Sequence, residues 1–432
     1  MDLANQVETI KRLFETRQFP LANELLTDVI TEQRHNYTFH FTQGVCLYEM
    51  GRFDEAAEAH QRALALNFSH AKGWLKLGAC HLVRQRWPEA LACYERGVNL
   101  DPNDAELLIG FGTMVTILGD DAGAEKQYRK ALKLNPKAWE AEVALGFVLL
   151  RSGKWTEGWA RFEKRWRLPQ FAALGPATRM WTGAPRQLAG KRVVVICEQG
   201  FGDTFQFARY LPLLVRAVGS ENVTLMCPPA LERILGTLVA PGVHIQVQNR
   251  DPMPEHDILT ALMSLPHIFE TTLRNVPPPA RYGITARPTG ARIGVCWHGG
   301  ARVEEPLANA DDQRRSVPLE VFQPIIDAAG GQAISLQQED LLAWGCKDWV
   351  DTAEIIAGLD LVITVDTAIA HLAASLGIET WILCRAGGCW RWLSAGDTTV
   401  WYPSARLFRQ TVLSDWAPCV ERVAAELRER LA

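Results

Sequence analysis

The sequence predicts an α-helical solenoid followed by two parallel-sheet α/β units, and three observations carry that prediction. Small and aromatic residues recur every 34 positions across the first 167 residues. After Pro169 the chain changes to short β-branched runs alternating with helical stretches. A proline-rich link, Val276-Pro277-Pro278-Pro279, divides that second part in two. The 432-residue length suits two to four compact units at roughly 100–200 residues each.

The repeat shows in several columns. Gly44, Gly78, Gly112 and Gly146 share the 34-residue step, as do Ala56, Ala90, Ala124 and Gly158, and His60, Tyr94, Tyr128 and Phe162. Phe19, Phe53, Trp87 and Trp155 form a fourth column with Asp121 in its remaining slot, so a weaker first repeat begins before residue 37. Five repeats over about residues 3–167 follow, each a helix pair broken by a short turn: Met50-Gly51-Arg52, Arg84-Gln85-Arg86, Gly119-Asp120, Ser152-Gly153-Lys154. Small residues at fixed positions let paired helices approach, and the aromatic column fills the space beside them. The pattern resembles the tetratricopeptide repeat; the plainer alternative is an irregular helical bundle. Placed in phase, the first helix of each repeat gives a concave face that includes Phe41, Tyr48, Leu75, Leu82, Ile109, Val143 and Phe147. That face reads as largely apolar, with no recurring asparagine, and suits an amphipathic helix of a partner protein. A segment of the chain itself, or self-association, is the other reading.

In the second part, Val193 to Cys197 is a continuous apolar run of the kind buried on both faces of a parallel sheet. A helical stretch from Thr204 to about Val218 follows, then strands at Val223–Cys227, Val243–Val247 and Ile258-Leu259. Beyond the prolines, strands are expected at 292–297, 332–336, 361–364 and 380–383, with a closing helix over 413–431. The resulting map is a solenoid over 1–167, a linker over 168–190, a first α/β lobe over 191–280 and a second over 281–432. Two doubly wound units put a ligand crevice at the carboxyl ends of their strands.

Four segments border that crevice. Gly200-Phe201-Gly202-Asp203 follows the first strand, where glycines admit a ligand and Asp203 projects from the helix start, or serves only as its N-cap. Asp366-Thr367-Ala368, followed by His371, forms a strand, turn and helix start that presents free amides to an anion; His371 reads equally as a core histidine. Trp297, His298 and Gly299 open a long polar stretch through Ala301-Arg302 to Arg314-Arg315, whose guanidinium groups suit a pyrophosphate or a carboxylate, or are ordinary surface arginines. Trp390-Arg391-Trp392 and Trp401 form an aromatic segment suited to sugar or base stacking, or to packing.

In this order the segments resemble a GT-B glycosyltransferase of the heptosyltransferase-like, family-nine-like kind. The tail Trp-Tyr-Pro-Ser-Ala-Arg-Leu-Phe-Arg-Gln and the attached repeats are similar to bacterial proteins that fuse tetratricopeptide repeats to such a domain, some of which modify flagellin with nonulosonic acids. The resemblance implies a GT-B fold of two Rossmann-like lobes, the first on the acceptor side and the second on the donor side. It implies Asp203 as catalytic base in an inverting single displacement. It also implies a nucleotide-sugar donor held by Gly202, Trp297, His298, Gly299, Arg314, Arg315, Asp366, Thr367, Ala368, His371, Trp390 and Arg391. Two features depart from the lipopolysaccharide enzymes: Pro212 lies two residues further from the Gly-Asp pair, and Arg314-Arg315 stand where a lysine is usual. The implied acceptor is a helical protein, flagellin among the candidates, modified on a hydroxyl. No cofactor or metal is expected, since the helix terminus and an arginine neutralise the leaving group and this half lacks an Asp-x-Asp motif. The alternatives are a non-catalytic repeat adaptor with a degenerate transferase domain, and a transferase acting on a glycan or lipid.

Composition narrows the classes further. The formal charge is −4, balanced at 22 basic and 22 acidic residues through Leu168, so no basic face marks a nucleic-acid partner. Ten scattered cysteines show neither a Cys-x-x-Cys pair nor zinc spacing and read as reduced, buried thiols. No apolar run reaches the ~18 residues of a membrane span, and the first residues do not resemble a signal peptide, so a cytoplasmic location is expected. Fifteen tryptophans stand out; Trp74, Trp87, Trp139 and Trp155 fall on or beside repeat positions, and four others border the expected crevice.

Overall fold

The computed structural model describes residues 2–174, 180–219, 222–300 and 306–432. Ala301 and Arg302 of the polar stretch, and part of the expected linker, lie outside the described residues. The chain divides into two compact units, Met1–Ala141 with Arg302–Asp311, and Glu142–Ala301 with Asp312–Ala432.

Ten helices make up the repeats among the described residues: α1 (Leu3–Glu15), α2 (Phe19–Glu32), α3 (Tyr37–Glu49), α4 (Phe53–Leu66), α5 (Ala71–Val83), α6 (Trp87–Leu100), α7 (Ala105–Ile117), α8 (Asp121–Leu134), α9 (Trp139–Arg151) and α10 (Trp155–Phe162). Two of the sequence columns face one another. A Cβ on Gly44 would stand 2.5 Å from the His60 ring, one on Gly112 2.8 Å from Tyr128, and one on Gly146 2.9 Å from the backbone nitrogen of Phe162. The glycine is the space that the partner column occupies. The turns form a further column: Arg17, Gly51, Gln85, Gly119 and Gly153 all take the left-handed conformation, with φ of 55°, 76°, 55°, 85° and 77°. Arg17 and Gln85 hold it against the Cβ clash that glycine escapes. The first repeat, weak in sequence, packs Ile10, Ala22, Leu26 and Val29 against Phe39 and Cys46 of the second repeat.

The second unit contains two parallel sheets. The first has order β3-β2-β1-β4, with β1 (Val193–Ile196), β2 (Val223–Cys227), β3 (Val243–Val247) and β4 (Ile258–Ala261). The second has order β6-β5-β7-β8-β9, with β5 (Ile293–Cys296), β6 (Ala333–Ser335), β7 (Leu361–Val365), β8 (Glu379–Cys384) and β9 (Ala405–Arg409). Every pairing is parallel. β9 lies in the Ala-Arg-Leu-Phe-Arg part of the tail, where the sequence reading places no strand, and its Leu407 and Phe408 are buried. The polar stretch after β5 also differs from expectation, since Pro306–Arg315 is a helix and Arg314-Arg315 are its last turn.

The fifth repeat is built into the sheet unit. The Trp155 ring stacks on Trp401 at 5.0 Å, and Trp159 meets Trp390 edge-on at 5.1 Å and Phe207 at 6.5 Å. The Trp159 indole N–H donates to the Thr271 carbonyl at 3.1 Å, and Arg151 donates to the Gly388 carbonyl at 3.1 Å. These aromatic side chains are almost completely buried. Phe207 comes from the first lobe and Trp390 and Trp401 from the second, so one aromatic core joins both lobes to the last helix pair.

Two outcomes follow. Gln85→Gly should raise stability by about 1 kcal/mol, read by denaturant unfolding, by removing a left-handed side chain. Deleting residues 1–136 should leave a remainder that unfolds cooperatively in near-UV circular dichroism, whereas deleting 1–167 removes Trp155 and Trp159 and should abolish that transition.

Candidate functional site

The carboxyl ends of β1 and β7 each lead through a turn into a short helix. After β1, Gly200 is the N-cap of the Phe201–Phe207 helix. Asp203 is therefore not the cap; it sits in the first turn and reaches back, its Oδ2 accepting the Gly200 N–H at 3.0 Å. Its Oδ1 is paired with Arg391. After β7, Thr367 is the N-cap of the Ala368–Ser375 helix but does not cap with its side chain. Its hydroxyl lies 3.3 Å from that of Thr364. The Thr367 side chain thereby leaves the first amides of this helix uncapped, and a helix start without a side-chain cap is the arrangement that receives an anion. A Cβ on Gly202 would stand 2.8 Å from His371 and 3.4 Å from the Ala368 Cα, so glycine is what lets these two helix starts meet.

Three side chains surround the second helix start. Arg315 donates to the Asp366 carbonyl at 3.2 Å and pairs with Asp312, while its Nε has no partner among the described residues. His371 is buried, its Nδ1 3.0 Å from the Tyr402 hydroxyl, its ring stacked on Trp392 at 5.3 Å, and its Nε2 3.9 Å from Asp366. Burial first, then Arg391, Arg209 and Arg315, push its pKa well below the ordinary histidine value. It is thus a neutral core histidine that also borders the site. Arg391 resists the cost of burial because Asp203 beside it holds the guanidinium protonated.

The remaining expected residues divide. Gly299 comes close to Arg315, where a Cβ would stand 3.2 Å from its Nη2, and the His298 Nδ1 lies 2.8 Å from the Gly299 carbonyl. Arg314 is half-buried. Trp297 packs on the second-lobe core against Phe322 at 5.9 Å. Trp390 offers no open face, because Phe207 stacks with it at 6.3 Å and the Arg391 guanidinium lies 4.4 Å from its centre. Trp392 and Trp401 are likewise core residues. In the repeats, Leu75 and Val143 are buried core residues; Phe41, Tyr48, Leu82 and Ile109 are half-buried and Phe147 is exposed. The expected face also includes Lys72 and Glu106, which pair at 3.2 Å, and Lys76 joins Glu106 at 2.8 Å, so charge interrupts its apolar positions.

Sequence reasoning passed over Gln206, Arg209 and Glu198. The Arg391 Nε donates to the Gln206 Oε1 at 2.5 Å, and Arg209 donates to the Trp401 carbonyl at 2.7 Å. The three-residue spacing of Gln206 from Asp203 on one helix is the signal available in the sequence; Arg209, in the next short helical segment Ala208–Tyr210, carries none. Glu198 lies just past β1 in a buried network: Arg165 donates to it at 2.9 Å, to Ser264 at 2.8 Å and to Glu163 at 2.5 Å. Two hollows, of about 390 and 150 Å³, lie away from these residues, at Glu32 to Tyr37 and beside Arg192 and Asn222. Among the described residues, no group of three or more His, Cys, Asp or Glu side chains is arranged to hold a metal, and no helix is long and apolar enough to cross a membrane.

Comparison with known proteins agrees on the repeats. The tetratricopeptide repeat family model matches residues 8–67 and 47–105. Protein FlbA of Caulobacter vibrioides is 26% identical over 444 residues, covering 89% of this chain and 71% of FlbA, so the likeness spans repeats and sheets together. Hsp70-Hsp90 organizing protein 1 of Glycine max is 26% identical over 98 residues, 23% of this chain and 17% of that protein. Among solved structures, a thermophilic tetratricopeptide repeat protein of Thermus thermophilus, TTC0263, is 19% identical with a TM-score of 0.36, over 39% of this chain and 93% of that one. The N-terminal part is thus a tetratricopeptide array, a protein-interaction scaffold, and an α/β region of two parallel sheets follows it.

Glu198 gives the site a pH dependence. Burial raises its pKa to about 7, against the opposing pull of Arg165. Its contribution to stability is therefore full below the ordinary carboxylate value of 4.5 and is lost as pH rises through about 7. Relative to Glu198→Gln, the wild type should lose on the order of 2–3 kcal/mol between those limits in unfolding measurements.

Proposed function

We propose that this chain is a glycosyltransferase that moves a sugar from a nucleotide-sugar donor to a hydroxyl of a protein recruited by its repeats. The observation that carries this reading is the uncapped start of the Ala368–Ser375 helix, beside Arg315 and against Gly202-Asp203. An anion at those amides puts a leaving phosphate where the helix dipole and an arginine stabilise it. A carboxylate on the facing helix suits a base that takes the acceptor proton as the hydroxyl attacks the anomeric carbon. The product is then inverted, in one displacement, with charge neutralised by amides and arginine. The resemblance of the ordered motifs to heptosyltransferase-like enzymes supports the same assignment. It also supports a bacterial, cytoplasmic setting and a helical acceptor such as flagellin.

A second reading, a non-catalytic adaptor, is favoured by the ion pair that occupies Asp203. Transfer to a glycan or lipid instead of a protein would survive deletion of residues 1–136, which leaves the fifth repeat in place.

Asp203→Asn should lower transfer by ~10²–10⁴-fold, read by intact-mass spectrometry of a co-expressed acceptor, with nucleotide affinity by calorimetry unchanged. Equal transfer in the variant removes Asp203 from the mechanism, and the absence of any nucleotide binding or mass shift in the wild type favours the adaptor.

A further inference from the structure

We infer that Arg391 is the positioning residue of Asp203, held for that task by Gln206 and Trp390, and is not a ligand of the donor. The inference rests on the reading of Asp203 as the base and deepens it.

The Asp203 carboxylate is gripped from both sides. One oxygen accepts the Gly200 N–H at 3.0 Å and the other pairs with Arg391, so the plane of the carboxylate is set by two donors. The first donor belongs to the same helix; the second reaches over from the turn that follows β8. Arg391 is itself fixed on every side. Its Nε donates to Gln206 at 2.5 Å and its Nη1 to the Cys389 sulfur at 3.0 Å, while its flat face lies 4.4 Å from the centre of Trp390. Phe207 lies 5.7 Å away on the same guanidinium. A planar fork bridges a carboxylate and an amide while lying on an indole; a lysine ammonium does not. Nε, Nη1 and Nη2 each direct an N–H to a protein partner, three of the five that the guanidinium carries, and these three fix its plane and its aim at Asp203.

Gln206 completes the arrangement. It lies one helical turn beyond Asp203, is fully buried, and its side-chain nitrogen has no partner among the described residues. Its described side-chain bond is the one to Arg391. Leaving the amide nitrogen buried without a partner is costly; the bond that its oxygen accepts from Arg391 is what aims the guanidinium at Asp203. Trp390 is braced in turn by Trp159 of the last repeat, at 5.1 Å. A base on the first lobe is therefore oriented by a side chain of the second, on a platform backed by the last repeat.

The test uses the full chain with Arg391→Lys and Gln206→Leu, each checked for wild-type near-UV circular dichroism. Arg391→Lys should lower kcat of transfer by ~10²-fold, as displacement of a catalytic group by about an ångström does, with donor KM and nucleotide affinity within threefold of wild type. Gln206→Leu should lower kcat in the same sense, and the double variant should be no worse than Arg391→Lys alone. A tenfold rise in donor KM with kcat retained would make Arg391 a donor ligand and overturn the inference. Absence of transfer by the wild type with every donor instead defeats the proposed function. The pairing is then decided by unfolding equilibria of Asp203→Asn, Arg391→Lys and the double variant. Effects at least fivefold short of multiplicative support it, and multiplicative effects overturn it.

Discussion

The packing of Trp159 is the contact on which the rest of the second unit depends. Its ring edge meets Trp390 and Phe207, and its indole N–H is spent on the Thr271 carbonyl. Those three partners come from the second lobe, the first lobe and the end of the first lobe. A buried indole contributes several kcal/mol through area and packing, and this one contributes at three places at once. Two parallel sheets linked by prolines would ordinarily be free to hinge; here they share a single aromatic core with the last helix pair. The Arg165 network beneath it adds a charged tie between the end of the repeats and Glu198.

That core explains the shape of the candidate site. With Phe207, Trp390 and Trp401 interlocked, the helix starts after β1 and β7 come close enough that Gly202 must be glycine. The closeness puts Asp203 against Arg391 and buries His371 among three arginines; burial first, and then those charges, keep the imidazole neutral. The polar groups are arranged by apolar packing and take their electrostatics from it.

Much of the fold is legible in the sequence because period is a strong signal. The glycine and aromatic columns of the repeats read as separate features and prove to be two sides of one contact, as at Gly112 and Tyr128. The apolar runs at 193, 223 and 361 mark strands because both faces of a parallel sheet are buried, whereas the edge strand at 243 alternates apolar and polar residues and is only partly buried. The aromatic tail is harder. Tryptophan density beside arginine looks the same whether it stacks on a sugar or on another tryptophan, and only the fifth repeat, far away in sequence, decides for packing. The helix Pro306–Arg315 is hidden by its polarity, and β9 by the arginines that flank Leu407 and Phe408. Leu75 and Val143 fall on the expected groove because a helical position alone does not say how deep a neighbouring repeat reaches. Asp203, Gly202 and the Asp366-Thr367 turn are visible because strand-to-helix turns carry their chemistry locally; Gln206 and Glu198 act only through partners distant in sequence.

The measurement that tests the account most directly is calorimetric titration of the full chain with cytidine, adenosine, uridine and guanosine nucleotides, in parallel with an Arg315→Ala variant. The account predicts that one nucleotide class binds saturably and that its affinity falls at least tenfold when Arg315 is lost from the start of the Ala368–Ser375 helix. Binding by none of them, or binding indifferent to Arg315, would contradict it.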